Sequence, residues 1–164
     1  MIIIRETGAD VAASALKFNV NRLRAAVRNT LREGRTALKG LIAARYTAKS
    51  PLKLGMVKSR VSGLTGQIRV SGPRNSLRHF IYRPSTRPPH DPPGGIFVQV
   101  VRGQGDNLPH AFIGRGLIFE RTGRGRLPIK KVDTLSLAGM AAAVSDKTMA
   151  RMAERLGIEL EAAL

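Results

Sequence analysis

The side chains that could do chemistry in this 164-residue chain are few and scattered. His79, His90 and His110 have ten and nineteen residues between them and fall on an alternating stretch, a proline-rich loop and a turn, a spacing that matches no zinc pattern. A metal-dependent nuclease needs converging carboxylates, and the basic part of the chain offers Asp91, Asp106 and Glu120. The first belongs to a loop, the second to a turn and the third to a strand, where Glu120 reads as an ion-pair partner for the arginines around it. With no Cys, thiolate catalysis, disulfides and Cys-based zinc sites all drop out. No serine occupies a Gly-x-Ser-x-Gly elbow. Gly114-Arg-Gly116 and Gly123-Arg-Gly125 look like phosphate loops, but neither begins a Gly-x-x-x-x-Gly-Lys-[Ser/Thr] run between a strand and a helix. The expectation is a protein with no catalytic residue, no cofactor and no metal.

What remains is charge. The formal net charge is +17, and it is segregated: residues 1–50 hold ten basic and three acidic side chains, 51–131 fifteen and three, and 132–164 three and five. Such a surface predicts attraction to a polyanion that weakens steeply with salt. With no Trp, two Tyr and five Phe, the chain is poor in rings for stacking bases, so the expected contact is non-specific. The four-residue apolar run at Met1–Ile4 is far short of a signal-peptide core or the roughly 20 residues of a membrane span, which predicts a soluble protein.

The elements that must carry these charges follow from periodicity. Leu16, Val20, Leu23, Val27, Leu31, Leu38, Leu41/Ile42 and Tyr46 recur at steps of three and four, which predicts one long helix, with Gly34 as the place for a bend. Arg24, Arg28, Arg32, Arg35 and Lys39 form a second stripe about 100° around it, either a solvated flank or a cationic face. Ser50-Pro51 ends the helix, and Leu52–Val61 then reads as a short one. Leu64–Val70 and Leu77–Tyr82 alternate like two antiparallel strands around the turn Ser71–Ser76.

Residues 83–95 hold five of the nine prolines together with Arg83 and Arg87, a composition that predicts a mobile loop. Ile96–Val101 has the strongest strand composition, which suits a central strand, and Arg102–Asn107 is turn chemistry. Leu117-Ile-Phe119 and Leu127-Pro-Ile129 then flank a glycine-rich hinge, a β-hairpin with Arg121, Arg124 and Arg126 at its tip and Lys130 and Lys131 beyond. Thr134–Met140 returns to helical spacing. Met149, Met152, Leu156 and Leu160 mark a C-terminal helix with Ser145 as its cap. Helices followed by hairpin-ordered strands indicate an α+β fold: a long N-terminal helix on an antiparallel sheet of about five strands, with a C-terminal helix, in one domain.

One stretch has a further likeness. Pro109-His-Ala-Phe-Ile113, a strand ending Phe119-Glu-Arg121, and Gly123-Arg-Gly-Arg-Leu-Pro-Ile-Lys-Lys-Val132 before Leu135-Ser-Leu137 resemble the minor tail protein Z family of long-tailed phages and prophages. Asn21-Arg22, Arg35-Thr36, Ala44-Arg-Tyr46, Val57-Lys58 and Ile68-Arg-Val-Ser-Gly72 extend the likeness over about residues 16–140. His110 stands where the family usually has Gly, a residue suited to a turn at positive φ.

The resemblance implies a non-enzymatic tail-completion protein of the virion tail, assembled in the bacterial host cytoplasm. It would form a homo-oligomeric ring, hexameric in the virion, around the DNA path at the head-proximal end. Its partners would be other tail and neck proteins, with no membrane involved. On this reading the hairpin residues Arg121, Arg124, Arg126, Lys130 and Lys131, the loop residues Arg83 and Arg87, and the helix residues Arg24, Arg28, Arg32 and Arg35 contact DNA or an acidic neighbour. The same charge also fits two other classes: a DNA-processing enzyme such as an end-trimming nuclease using Glu120 and His110, and a nucleic-acid chaperone.

Overall fold

The computed structural model describes residues 2–4, 20–48, 56–84, 94–123 and 127–162. The long helix, α1 (Val20–Arg45), forms as its periodicity predicts and runs through both Gly34 and Gly40. Leu23, Ala26, Leu31, Leu38 and Ile42 are buried along one face. At Gly34 a Cβ would sit 2.6 Å from Met152 Cγ, so this glycine lets the C-terminal helix approach the α1 backbone.

The chain then makes short strands. β2 (Met56–Ser62) and β3 (Thr65–Ser71) form a hairpin around Gly63, which has φ +61°, and β1 (Ile2–Ile4) pairs antiparallel with the other edge of β3. The helix expected over Leu52–Val61 is therefore a strand from Met56 onward. Val57 and Val61, four apart, fit a helix face and a strand face equally well. Their β-branching and the turn at Gly63 favour the strand, in which both pack against the core. A second correction concerns Leu77–Tyr82, which does not pair with β3. β4 (Arg74–Ser76) leads into a 3-10 turn (Leu77–His79) and then β5 (Ile81–Arg83), with Phe80 fully buried between them.

β6 (Ile96–Val101) is the central strand of β5-β6-β7, as its composition predicts. The turn after it is only Arg102-Gly103, and polar Gln104–Leu108 is β7, an edge strand held by its backbone pairing rather than by apolar burial. β8 (Ala111–Gly114), β9 (Leu117–Arg121) and β10 (Ile129–Lys131) form the next sheet, with Ile129 opposite Arg121 and Lys131 opposite Phe119. The expected hairpin is thus present.

The first half of the predicted helix over Thr134–Met140 is instead β11 (Asp133–Ser136), paired with β4. Ser136 then caps α2 (Leu137–Ala142) by accepting from the Gly139 amide at 3.1 Å. α3 (Ser145–Glu161) is the C-terminal helix, but its cap differs from expectation: the Ser145 hydroxyl donates back to the Ala142 carbonyl at 2.8 Å.

The class is α+β, with eleven strands among the described residues, in four small antiparallel sheets, rather than about five in one. Two apolar clusters hold these layers. Leu31, Leu38 and Ile42 of α1 meet Ile68, Phe80, Met140 and Met152 in one, and Leu77, Ile96, Val98, Ala111 and Ile118 form the other, with Val100 packed against both. Among the described residues no helix is long and apolar enough to cross a membrane.

Candidate polyanion interface

Arg24, Arg28, Arg32 and Arg35 are all exposed on α1. The apolar face that buries Leu31, Leu38 and Ile42 fixes the rotation of the helix, so the stripe one position further round must face solvent. Arg32 is drawn sideways, its guanidinium donating to Asn29 Oδ1 at 3.1 Å. Asn29 in turn donates to Glu159 Oε2 at 3.1 Å, and Arg155 reaches both Glu159 (2.6 Å) and Glu33 (3.1 Å). The Asn29 hydrogen bond, followed by the hydrogen bond and charge of Arg155, holds the Glu159 carboxyl below the usual carboxylate value. Arg32 thus borders a polar seam between α1 and α3.

The second basic region lies on different elements. Arg83 is exposed on β5, opposite Phe97. Arg121 is half-buried, with its guanidinium carbon 5.2 Å from the centre of the Phe112 ring. This cation–π contact fixes its direction. Phe112 itself stacks on Phe119 at 6.0 Å. Lys130 is exposed and opposite Glu120, whereas Lys131 makes an ion pair with Asp133 at 2.8 Å. Arg87, Arg124 and Arg126 lie outside the described residues, as does most of the predicted loop 83–95.

Several cations are occupied in holding the fold. Arg45 donates to the Ala143 carbonyl at 2.9 Å, just past the end of α2, and Arg102 Nε donates to the Ala43 carbonyl at 3.2 Å in the last turn of α1. Both satisfy carbonyls near helix C-termini, where positive charge is favoured.

A cationic group missed in the sequence gathers at the β8–β9 turn. Its two central residues, Arg115 and Gly116, have φ +49° and +72°, the type I′ arrangement. Arg115 is the one non-glycine residue at positive φ among the described residues, so the turn at His110 does not need the Gly of the resembled family. Arg78 donates to the Gly116 carbonyl at 3.4 Å. Burial, then the charges of Arg78 and Lys131, push the His79 imidazole below its ordinary pKa. In the sequence Gly114-Arg-Gly116 shows only a likeness to a phosphate loop, and the approach of Arg78 depends on how the 3-10 turn packs against β9.

Among the described residues no three His, Asp or Glu side chains are grouped to hold a metal ion. Asp106 accepts from the Asn107 amide at 2.8 Å, and Glu120 has Ala111 and Lys130 as its cross-strand neighbours. An apolar cleft of about 270 Å³ lies between α1, α3 and the β2–β3 turn, lined by Val27, Leu31, Met152, Leu156 and Leu160 among others, with no charged residue or histidine among the described residues of its wall. The basic surface is therefore the candidate site. Comparison with protein-family models, with curated proteins and with solved structures finds no match.

Proposed function

We propose that the chain is a structural, non-enzymatic protein that completes the head-proximal end of a phage tail, as a homo-oligomeric ring around the DNA path, and supports head–tail joining and positioning of the DNA end. The observation that carries this reading is the exposed basic stripe Arg24, Arg28 and Arg35, with Arg83 and Lys130 exposed elsewhere, on a chain of net charge +17. A channel for passing DNA needs positive charge without base readout, since phosphate contacts position a duplex but carry no sequence information. Repetition of the subunit around a ring multiplies that charge. The resemblance of Pro109–Val132 to the tail-completion family supports the assembly role.

Negative-stain images of the purified protein, alone and with linear duplex, test the reading: rings with a central channel, or rings that assemble on the duplex, are expected. Monomers that neither oligomerise nor join DNA would overturn it. The nuclease reading has weaker support. The β8–β9 register places Glu120 beside Ala111, next to His110, which gives one carboxylate rather than a converging set. Linear duplex incubated with the protein and Mg²⁺ or Mn²⁺ should remain intact, and cleavage abolished by Glu120→Gln would restore the enzyme.

A further inference from the structure

We propose that Arg78 and Arg115, brought together at the β8–β9 turn, with His79 next to Arg78 and Lys131 on the adjoining β10, form a subsite for one phosphodiester group of duplex DNA. This rests on the reading that the protein contacts DNA, and it adds Arg78 and Arg115, which that reading did not include.

Three segments distant in sequence meet here. The 3-10 turn supplies Arg78 and His79, the two-residue turn supplies Arg115, and β10 supplies Lys131. The Arg78–Gly116 hydrogen bond of 3.4 Å draws the first two together, since Gly116 is the neighbour of Arg115. Lys131 lies opposite Phe119, two residues along β9 from Leu117 at the turn, which brings the third segment to the same sheet. Asp133 offsets Lys131 at 2.8 Å, so the group keeps a net positive charge from its two arginines.

Arg115 occupies a left-handed position, which costs an L-residue with a Cβ more than glycine or asparagine. Strained positions of this kind cluster at sites of function. An arginine is of use there because its planar fork matches a phosphate group. Arg78 and Arg115 are both exposed on the surface rather than enclosed in a pocket, which suits a polymer bound by the sum of many contacts more than a small molecule held by one.

The group also contains its own reporter. Among the described residues, the charged groups that act on His79 are Arg78 on its own turn and Lys131 on β10, the latter paired with Asp133. A phosphodiester seated among them adds negative charge and stabilises the imidazolium, so the His79 pKa rises on binding and binding tightens as pH falls.

The test combines NMR titration of His79 in the full chain with duplex-binding isotherms. A short duplex at low salt should raise the His79 pKa. The Arg78→Gln, Arg115→Asn double variant should bind more weakly, with the slope of log K against log salt reduced by about 0.9 for each phosphate that is no longer neutralised. If the duplex binds but neither the His79 pKa nor the double variant's slope changes, the subsite is wrong and the DNA reading stands. If His79 responds to inorganic phosphate and not to duplex, the site takes a small oxyanion and the proposal fails. If no duplex binds at all, the DNA reading fails first; a His79 response to an acidic peptide in that case assigns the surface to a protein partner.

Discussion

Arg115 imposes a conformational cost on the fold that a different residue would relieve. The left-handed region costs an L-residue about 1–2 kcal/mol, while Asn-Gly is the pair that type I′ turns favour. Arg115→Asn is therefore expected to raise unfolding stability by about 1 kcal/mol, read as a higher denaturant midpoint at unchanged slope. If the same variant loses DNA affinity, that loss cannot be blamed on unfolding. His79 supplies a pH test at the same scale. Its folded pKa lies below its ordinary value, so the folded state takes up its proton less readily than the unfolded state. Its contribution to stability is present above about pH 6.5 and is lost as pH falls through the folded pKa. His79→Asn should flatten the stability–pH curve in that window, and an unchanged curve would contradict the assignment. Not every cation is available to a polyanion: Arg45 and Arg102 satisfy helix-end carbonyls, and Arg121 lies over Phe112, facts set by tertiary approach and not by spacing.

At the scale of elements, α1 was legible because its apolar stripe is sustained over many turns. The β9–β10 hairpin was legible because glycine and arginine separate two short apolar runs. Met56–Ser62 was not, because seven residues with two valines four apart satisfy both periods. Asp133–Ser136 was obscured by the helical spacing of the residues after it, and β7 has no apolar alternation to betray it. The glycines of α1 separate packing from propensity. Gly34→Ala gains about 1 kcal/mol of helix propensity, but it overpacks a contact 2.6 Å from Met152 Cγ, where strain of about 1–3 kcal/mol is usual. A net loss of about 1 kcal/mol is expected. Gly40→Ala meets nothing within 4 Å and should stabilise by up to about 1 kcal/mol. Urea unfolding of both variants checks the opposite signs, and a stabilising Gly34→Ala would mean that α3 is not seated on α1 as described.

For the whole molecule, charge was the most legible property and its arrangement the least. The exposure of Arg24, Arg28 and Arg35 follows from the helix period alone. The approach of Arg78 to the Arg115-Gly116 turn needs the 3-10 turn to lie against β9, a long-range packing outcome with no local pattern. The basic residues fall on at least two surfaces, the α1 stripe and the β8–β10 sheet, and a polyanion touching both would contact several phosphates at once. The most direct measurement is the affinity of the full chain for a short duplex at 50 and 200 mM salt. With six to ten phosphates neutralised, affinity should fall by roughly 10³–10⁵ between the two. A response that is flat across that range, or no binding at 50 mM, would contradict the account that this charge exists to meet DNA.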